Sequence, residues 1–184
     1  MCFAERDFTV LQQNVTLCDK LDDWLRNQTE NRALNAGMKN FWVRGAPGTG
    51  KSSTVLLWLR SRSASDRNFN PVWLHVTPTP SPKCTFYWRR NNEWRNITMK
   101  PDHLPDLSRS RQNHGFFQNA TVFVCDGVTR SEPSTLVTTC YELTGGVVPL
   151  VFVSSQQVPL DDKKPDVAMD DFFTMPPLPQ SEKE

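Results

Sequence analysis

The sequence predicts an α/β fold in three layers: a mostly parallel central sheet with helices on both faces, plus a β-hairpin insertion. Two observations carry this. Short apolar runs such as PVWLHV (71–76) and ATVFVCDG (120–127) lack strict alternation, as strands covered on both faces do. Helical stretches separate these runs, and strand, helix, strand repeated twice is the order of a parallel sheet.

The elements follow in order. Residues 8–36 read as a helix, with Leu11, Val15, Leu17, Leu21, Trp24 and Leu25 as its apolar stripe and Gly37 as its stop. NFWVRG is a short strand ending at Gly45. KSSTVLLWLRSRSA is a helix with Val55, Leu56, Trp58 and Leu59 inward and Arg60 and Arg62 near its end. PVWLHV is the second strand, and Pro78, Pro80 and Pro82 then break regular structure. Residues 83–99 form a hairpin turning at Asn91-Asn92, since Asn tolerates the left-handed backbone of tight turns. Residues 101–119 are polar, with room for one short helix. ATVFVCDG is the third strand. SEPSTLVTTCYELTGG is a helix with Pro133 in its first turn and Gly145 past its end, and VVPLVFVSS is the fourth strand. The expected organisation is an N-terminal helical segment (1–37), a core (38–158) and an acidic, proline-rich, poorly ordered tail (159–184). No internal repeat is visible.

Bulk properties narrow the function classes. A chain of 184 residues suits one domain and buries about 70% of its unfolded surface. A net charge of +1 predicts no polyanion or membrane partner, and no apolar run nears the roughly 20 residues of a membrane span. MCFAERDFTV does not read as a secretory signal. The five cysteines, Cys2, Cys18, Cys84, Cys125 and Cys140, show no CxxC spacing and read as free thiols of a reducing compartment, cytoplasmic or nuclear.

One motif carries chemistry. Gly45, Gly50, Lys51 and Ser52 fit G-x-x-x-x-G-K-[ST] without a gap, and Ala46, Pro47, Gly48, Thr49 and Ser53 complete the loop. Its glycines let successive N–H groups point at one phosphate, and the following helix adds its positive end. Lys51 would reach the β- and γ-phosphates, and the Ser52 hydroxyl sits where a magnesium ligand is needed. A Gly/Pro turn before a helix is the plain alternative. Placement between an apolar strand and an apolar helix favours the phosphate loop, and with it a P-loop NTPase with ATP or GTP and Mg²⁺ as cofactors.

Such a loop needs a carboxylate on a neighbouring strand, and Asp126 ends the third one. The next residue is Gly127, where many ATPases place the acid that polarises the attacking water. Nucleotide binding is therefore better supported than rapid hydrolysis. Ser154, Ser155 and Gln156 end the fourth strand, where polar groups either touch the γ-phosphate or simply finish a strand. FYWRRNNEWR mixes rings and guanidinium groups. That mixture suits single-stranded nucleic acid, but it suits a hairpin packing one aromatic face on the sheet better. His75, His103 and His114 read as isolated, with no metal site or catalytic dyad. Arg44 and Arg130 flank the two phosphate-side turns and are either nucleotide contacts or surface charges.

FWVRGAPGTGKSS, VWLHVT, VFVCDGVT and PLVFVSS, in that order, resemble the P-loop NTPase region of Crinkler-type effector proteins, relatives of retrotransposon hot spot proteins. The similarity covers about residues 38–157. It implies a STAND- or AAA-like ATPase, with Gly45, Gly48, Gly50, Lys51 and Ser52 as its Walker A loop and Asp126 as its Walker B aspartate. Such proteins are commonly delivered into host cells, reach the nucleus and carry a leader and an effector domain. Here no LFLAK-like leader is read, and the chain stops at Glu184, so an effector domain is expected to be missing or separate. The alternatives are a non-hydrolysing switch module, a truncated gene copy and a P-loop kinase. A homo-oligomer is also open, because NTPases of this type often complete their sites with a neighbour's arginine.

Overall fold

The computed structural model describes residues 12–33, 40–77, 81–90, 93–109, 117–128, 133–154 and 171–175. The sequence readings at Leu11, Gly37, Pro78, Pro80 and Asn91-Asn92 lie outside these residues. Chain order is α1 (Gln12–Ala33), β1 (Phe41–Gly45), α2 (Lys51–Ser65), β2 (Pro71–Thr77), β3 (Lys83–Arg90) and β4 (Glu93–Met99). A 3-10 turn (Pro101–His103) leads into α3 (Leu104–Arg109), followed by β5 (Val122–Val128), α4 (Pro133–Thr144), β6 (Leu150–Ser154) and β7 (Asp171–Met175).

Among the described residues the strands form one seven-stranded sheet in the order β4-β3-β2-β5-β6-β1-β7. β2, β5, β6, β1 and β7 are mutually parallel, and β3 and β4 extend one edge antiparallel. The apolar runs now have a physical reason. Trp42, Phe123, Cys125, Leu150 and Phe152 face one core with Leu104 of α3 and Cys140 and Leu143 of α4. Phe41, Val43, Val122, Val124, Val151 and Val153 face the other, with Leu17, Leu21, Trp24 and Leu25 of α1 and Val55, Trp58 and Leu59 of α2. Successive side chains point to opposite faces, so a strand covered twice must be apolar at every position. Each fully buried Leu, Val or Phe contributes about 1.5–3 kcal/mol. Stacking of Trp42 on Phe152, with centroids 4.6 Å apart, ties β1 to β6 within the first core.

Three expectations, at Val15, at Leu56 and in the tail, need correction. Val15, read as part of the α1 stripe, is 41% exposed, and Leu56 is only half-buried. The expected hairpin is present as β3 and β4, and β3 pairs with β2 from Val72↔Trp88 to Thr77↔Lys83, so the hairpin continues the sheet. Its rings divide as an ordinary packed hairpin would. Phe86 lies 5.4 Å from Phe117 in the core, Tyr87 stacks on Trp73 at 5.1 Å, and Trp94 is exposed. The tail was expected to be poorly ordered from residue 159 on. Yet Asp171–Met175 pairs with β1 from Phe41↔Asp171 to Gly45↔Met175 and buries Met175. β1 would otherwise be an edge with unpaired backbone groups, which the added strand satisfies.

Candidate functional site

β1 delivers the chain to the carboxyl end of the sheet at Gly45, and α2 leaves it at Lys51. Gly50 caps α2 with φ 81°, a left-handed conformation that other residues adopt only at a cost. Inside the loop, Thr49 is buried, and its hydroxyl donates to the Ala46 carbonyl at 3.0 Å. Lys51 is buried as well. Its Nζ donates to the carbonyls of Gly45 (2.9 Å) and Ala46 (2.6 Å) and to Thr49 Oγ1 (3.2 Å), so the ammonium is folded onto the loop. Burial lowers its pKa, and the nearby Asp126 carboxylate works against that. Ala46, Pro47, Gly48, Ser52 and Ser53 stay exposed along the rim.

Asp126 sits on β5, which is not the immediate neighbour of β1: β6 lies between them. Its carboxylate is nevertheless within reach of the loop. Ser52 Oγ donates to Asp126 Oδ1 at 2.9 Å. Two oxygen donors at the start of a helix match the hard-oxygen preference of Mg²⁺, which takes one or two carboxylates and completes its shell with phosphate and water. Ser52 and Asp126 are the residues that would hold it. Among the described residues no three His, Cys, Asp or Glu side chains gather as a fuller cage.

The other Asp126 oxygen has a partner that the sequence reading missed. His75 Nδ1 lies 3.0 Å from Asp126 Oδ2, and the two residues are register partners on β2 and β5. The reading of His75 as isolated is overturned. Hydrogen bonding to Asp126 raises the His75 pKa, with burial opposing. A signal was present: His75 and Asp126 are both polar residues near the carboxyl ends of apolar strands. What the sequence lacked was the pairing of those strands.

Gly127 also takes on a definite meaning. The β5–β6 register shifts between Asp126 and Val128, and Gly127 has φ 95° at that irregularity. A Cβ there would run into the main-chain carbonyl of Val76. The site thus excludes a side chain at the position where an acid would have stood.

Ser154 is fully buried at the carboxyl end of β6, between the loop strand and the Asp126 strand. Arg44 is directed to rings, 5.9 Å from Trp42 and 5.5 Å from Phe172. Glu142 is exposed on α4. Arg130, Glu132, Ser155, Gln156 and His114 lie outside the described residues.

A strand, a phosphate-type loop and a helix, with the carboxylate strand two places away across a parallel sheet, define a P-loop NTPase fold. Comparison with known proteins agrees at that level. The crystal structure of Pif1 helicase from Candida albicans matches with a TM-score of 0.52 and 9% identity over 92% of this chain. The chain spans 40% of that structure's length, and at this identity the likeness shows the fold alone. No protein-family model matches the chain, and no curated protein does.

Proposed function

We propose that this chain binds a nucleoside triphosphate, ATP or GTP, at the 45–53 loop and hydrolyses it slowly with Mg²⁺. The observation that carries the reading is the 2.9 Å contact between Ser52 and Asp126, which joins the loop helix to a strand two places away. A phosphate would compete with the Gly45 and Ala46 carbonyls for Lys51 Nζ, and the α2 amides would take its oxygens. Mg²⁺ would neutralise phosphate charge when bound. Asp126, oriented by His75, would present its other oxygen beside Ser52. Ser154 ends β6, the strand between the loop strand and the Asp126 strand, and its proposed part is to sense the γ-phosphate. Lys51→Ala is expected to abolish binding in a fluorescent-nucleotide titration, and retained affinity would refute the site.

A second reading has its own observation. Gly127 excludes the usual base, so the chain could bind nucleotide as a switch without turnover. Phosphate release separates the two: a hydrolase loses its rate with Asp126→Ala, whereas a switch shows none to lose.

The finer assignment is the NTPase module of a Crinkler-type effector, which would work in the cytoplasm or nucleus of a host cell. It is supported by VWLHVT and VFVCDGVT at their positions beside the loop. A fluorescent fusion confined outside both compartments would count against it. Single-stranded nucleic acid as a partner is supported by Trp94 and Arg95, exposed on β4, and by the fold likeness to a helicase. A filter-binding titration with oligonucleotides tests it.

A further inference from the structure

Register and pleat divide the side chains of β2, β3 and β4 between two unlike faces. Val72, Leu74, Cys84 and Phe86 point into the first core and are buried. Trp73, Tyr87 and Asn96 stand in one register row on the opposite face, and none of them is buried. α1 and α2 lie on that side of the sheet, but of these three strands their core takes in only Trp73. Among the described residues no second core forms over the rest of this face.

The open face is sorted along the strands. Tyr87 stacks on Trp73 at 5.1 Å. Trp94 is exposed on the edge strand, with Arg89 as its register partner. Arg89 Nη1 donates to the Asp66 carbonyl at 3.3 Å, which holds it at this end. Toward the other end Thr85 and Thr98 share a hydrogen bond of 3.0 Å, and Lys83 follows, exposed. Lys100 is exposed too, and its extended backbone (φ −76°, ψ 149°) keeps the alternation of Trp94, Asn96 and Thr98. The three strands put no carboxylate on this face: Glu93 belongs to the other one, 3.9 Å from Arg95. A net charge of +1 for the whole chain conceals this local excess of cations.

We infer that single-stranded nucleic acid lies on this face, with its bases on Trp73, Tyr87 and Trp94 and its phosphates beside Lys83, Lys100 and Arg89. That placement rests on the nucleic-acid partner proposed above and adds the surface that holds it. Unpaired bases stack on rings whatever their sequence, and flanking cations follow the backbone. A duplex hides its base faces and would meet only the cations. From Lys83 to Arg89 the face is about 20 Å long at about 3.4 Å per residue, enough for about four nucleotides. It meets the phosphate site in one register row: Asp126, His75, Thr85 and Thr98.

The test reads fluorescence anisotropy of labelled oligo(dT) and oligo(rU) on the full chain. The oligonucleotides are about 12 nucleotides long and lack terminal phosphates, so the 45–53 loop has no phosphate end to hold. Wild type is expected to bind them about tenfold or more tighter than a blunt duplex or poly(Glu) of similar length. Trp94→Ala should weaken binding about fivefold or more. Lys83→Ala combined with Lys100→Ala should flatten the slope of log affinity against log salt by about 1.4. Arg95→Ala, on the opposite face, should change affinity less than about twofold. All these positions are exposed, and circular dichroism checks that each variant is folded. If Arg95→Ala abolishes binding and the Trp94 and lysine variants do not weaken it, the partner stands and the face is wrong. If the duplex or poly(Glu) binds as tightly as oligo(dT), the face reads charge or acidic protein rather than bases, and the placement falls. If wild type binds no oligonucleotide, the nucleic-acid partner falls and the face with it.

Discussion

His75 and Asp126 face each other across β2 and β5, with Nδ1 and Oδ2 3.0 Å apart, and they meet at the end of the sheet where Ser52 also reaches Asp126. One carboxylate thus joins the loop helix to two strands. Its two oxygens are used separately, one by a hydroxyl and one by an imidazole. That division holds the carboxylate plane in place before any ligand arrives.

The imidazole makes stability depend on pH. Asp126 raises the His75 pKa in the folded chain above its ordinary value of about 6.5. The extra stability is therefore fully present below about pH 6.5 and is lost as pH rises through the folded value. Urea midpoints of wild type and His75→Gln should differ most below about pH 6.5 and converge as pH rises through the folded value. His75 is 37% exposed, so added salt should narrow the gap. A gap that does not change with pH would mean that the pair does not form in solution.

At Gly127 the sequence shows that the acid is absent, and the structure shows that no side chain fits there. Gly127→Ala must hold φ near 95° and place a Cβ against the Val76 carbonyl. A loss of at least about 2 kcal/mol is expected in denaturant unfolding. Gly127→Glu should be no more stable than the alanine variant and no faster in phosphate release, since its side chain cannot enter without moving β2. A stable, faster Glu variant would show that the strand end yields easily.

Between α1 and α2, Asp22 accepts from Trp58 Nε1 at 2.7 Å and lies 3.4 Å from Arg62 Nε. Trp58 is buried, so its N–H has little water to turn to. Asp22→Ala should cost about 1–3 kcal/mol by leaving that donor unpaired. Asp22→Asn keeps an acceptor and should lose less. Equal losses in the two variants would assign the effect to charge rather than to the indole bond.

For β7 the expectation is a contrast between two side chains. Met175 is buried on the second core, whereas Phe172 is 62% exposed. Met175→Ala should cost about 2–5 kcal/mol, and Phe172→Ala about 1 kcal/mol or less. Thermal and urea unfolding of both variants would read this directly. Two small, equal effects would mean that this strand adds little to the sheet.

Much of this was legible from residue order. β1, β2, β5 and β6 are apolar at successive positions, and only strands covered on both faces need that. The loop from Gly45 to Ser53 could be read because its chemistry is local: glycines, a lysine and a hydroxyl within nine residues. β7 escaped notice because Asp171–Met175 sits in acidic, proline-rich surroundings and an edge strand needs few buried side chains; Met175 is buried and Phe173 half-buried. Val15 misled for the opposite reason. It keeps the helical spacing of the core stripe but lines a cleft instead.

The sequence by itself determined that an α/β chain would carry a phosphate-type loop at the end of a strand, because backbone conformation and apolar period are properties of neighbouring residues. Only the tertiary structure decided what surrounds that loop. Ser52 and Asp126 are 74 residues apart and His75 and Asp126 are 51 apart, and nothing local brings them together. Strand order does, by setting β5 beside β2 and β6 between β5 and β1. The same order brings Val76 against Gly127 and leaves no room there for an acid.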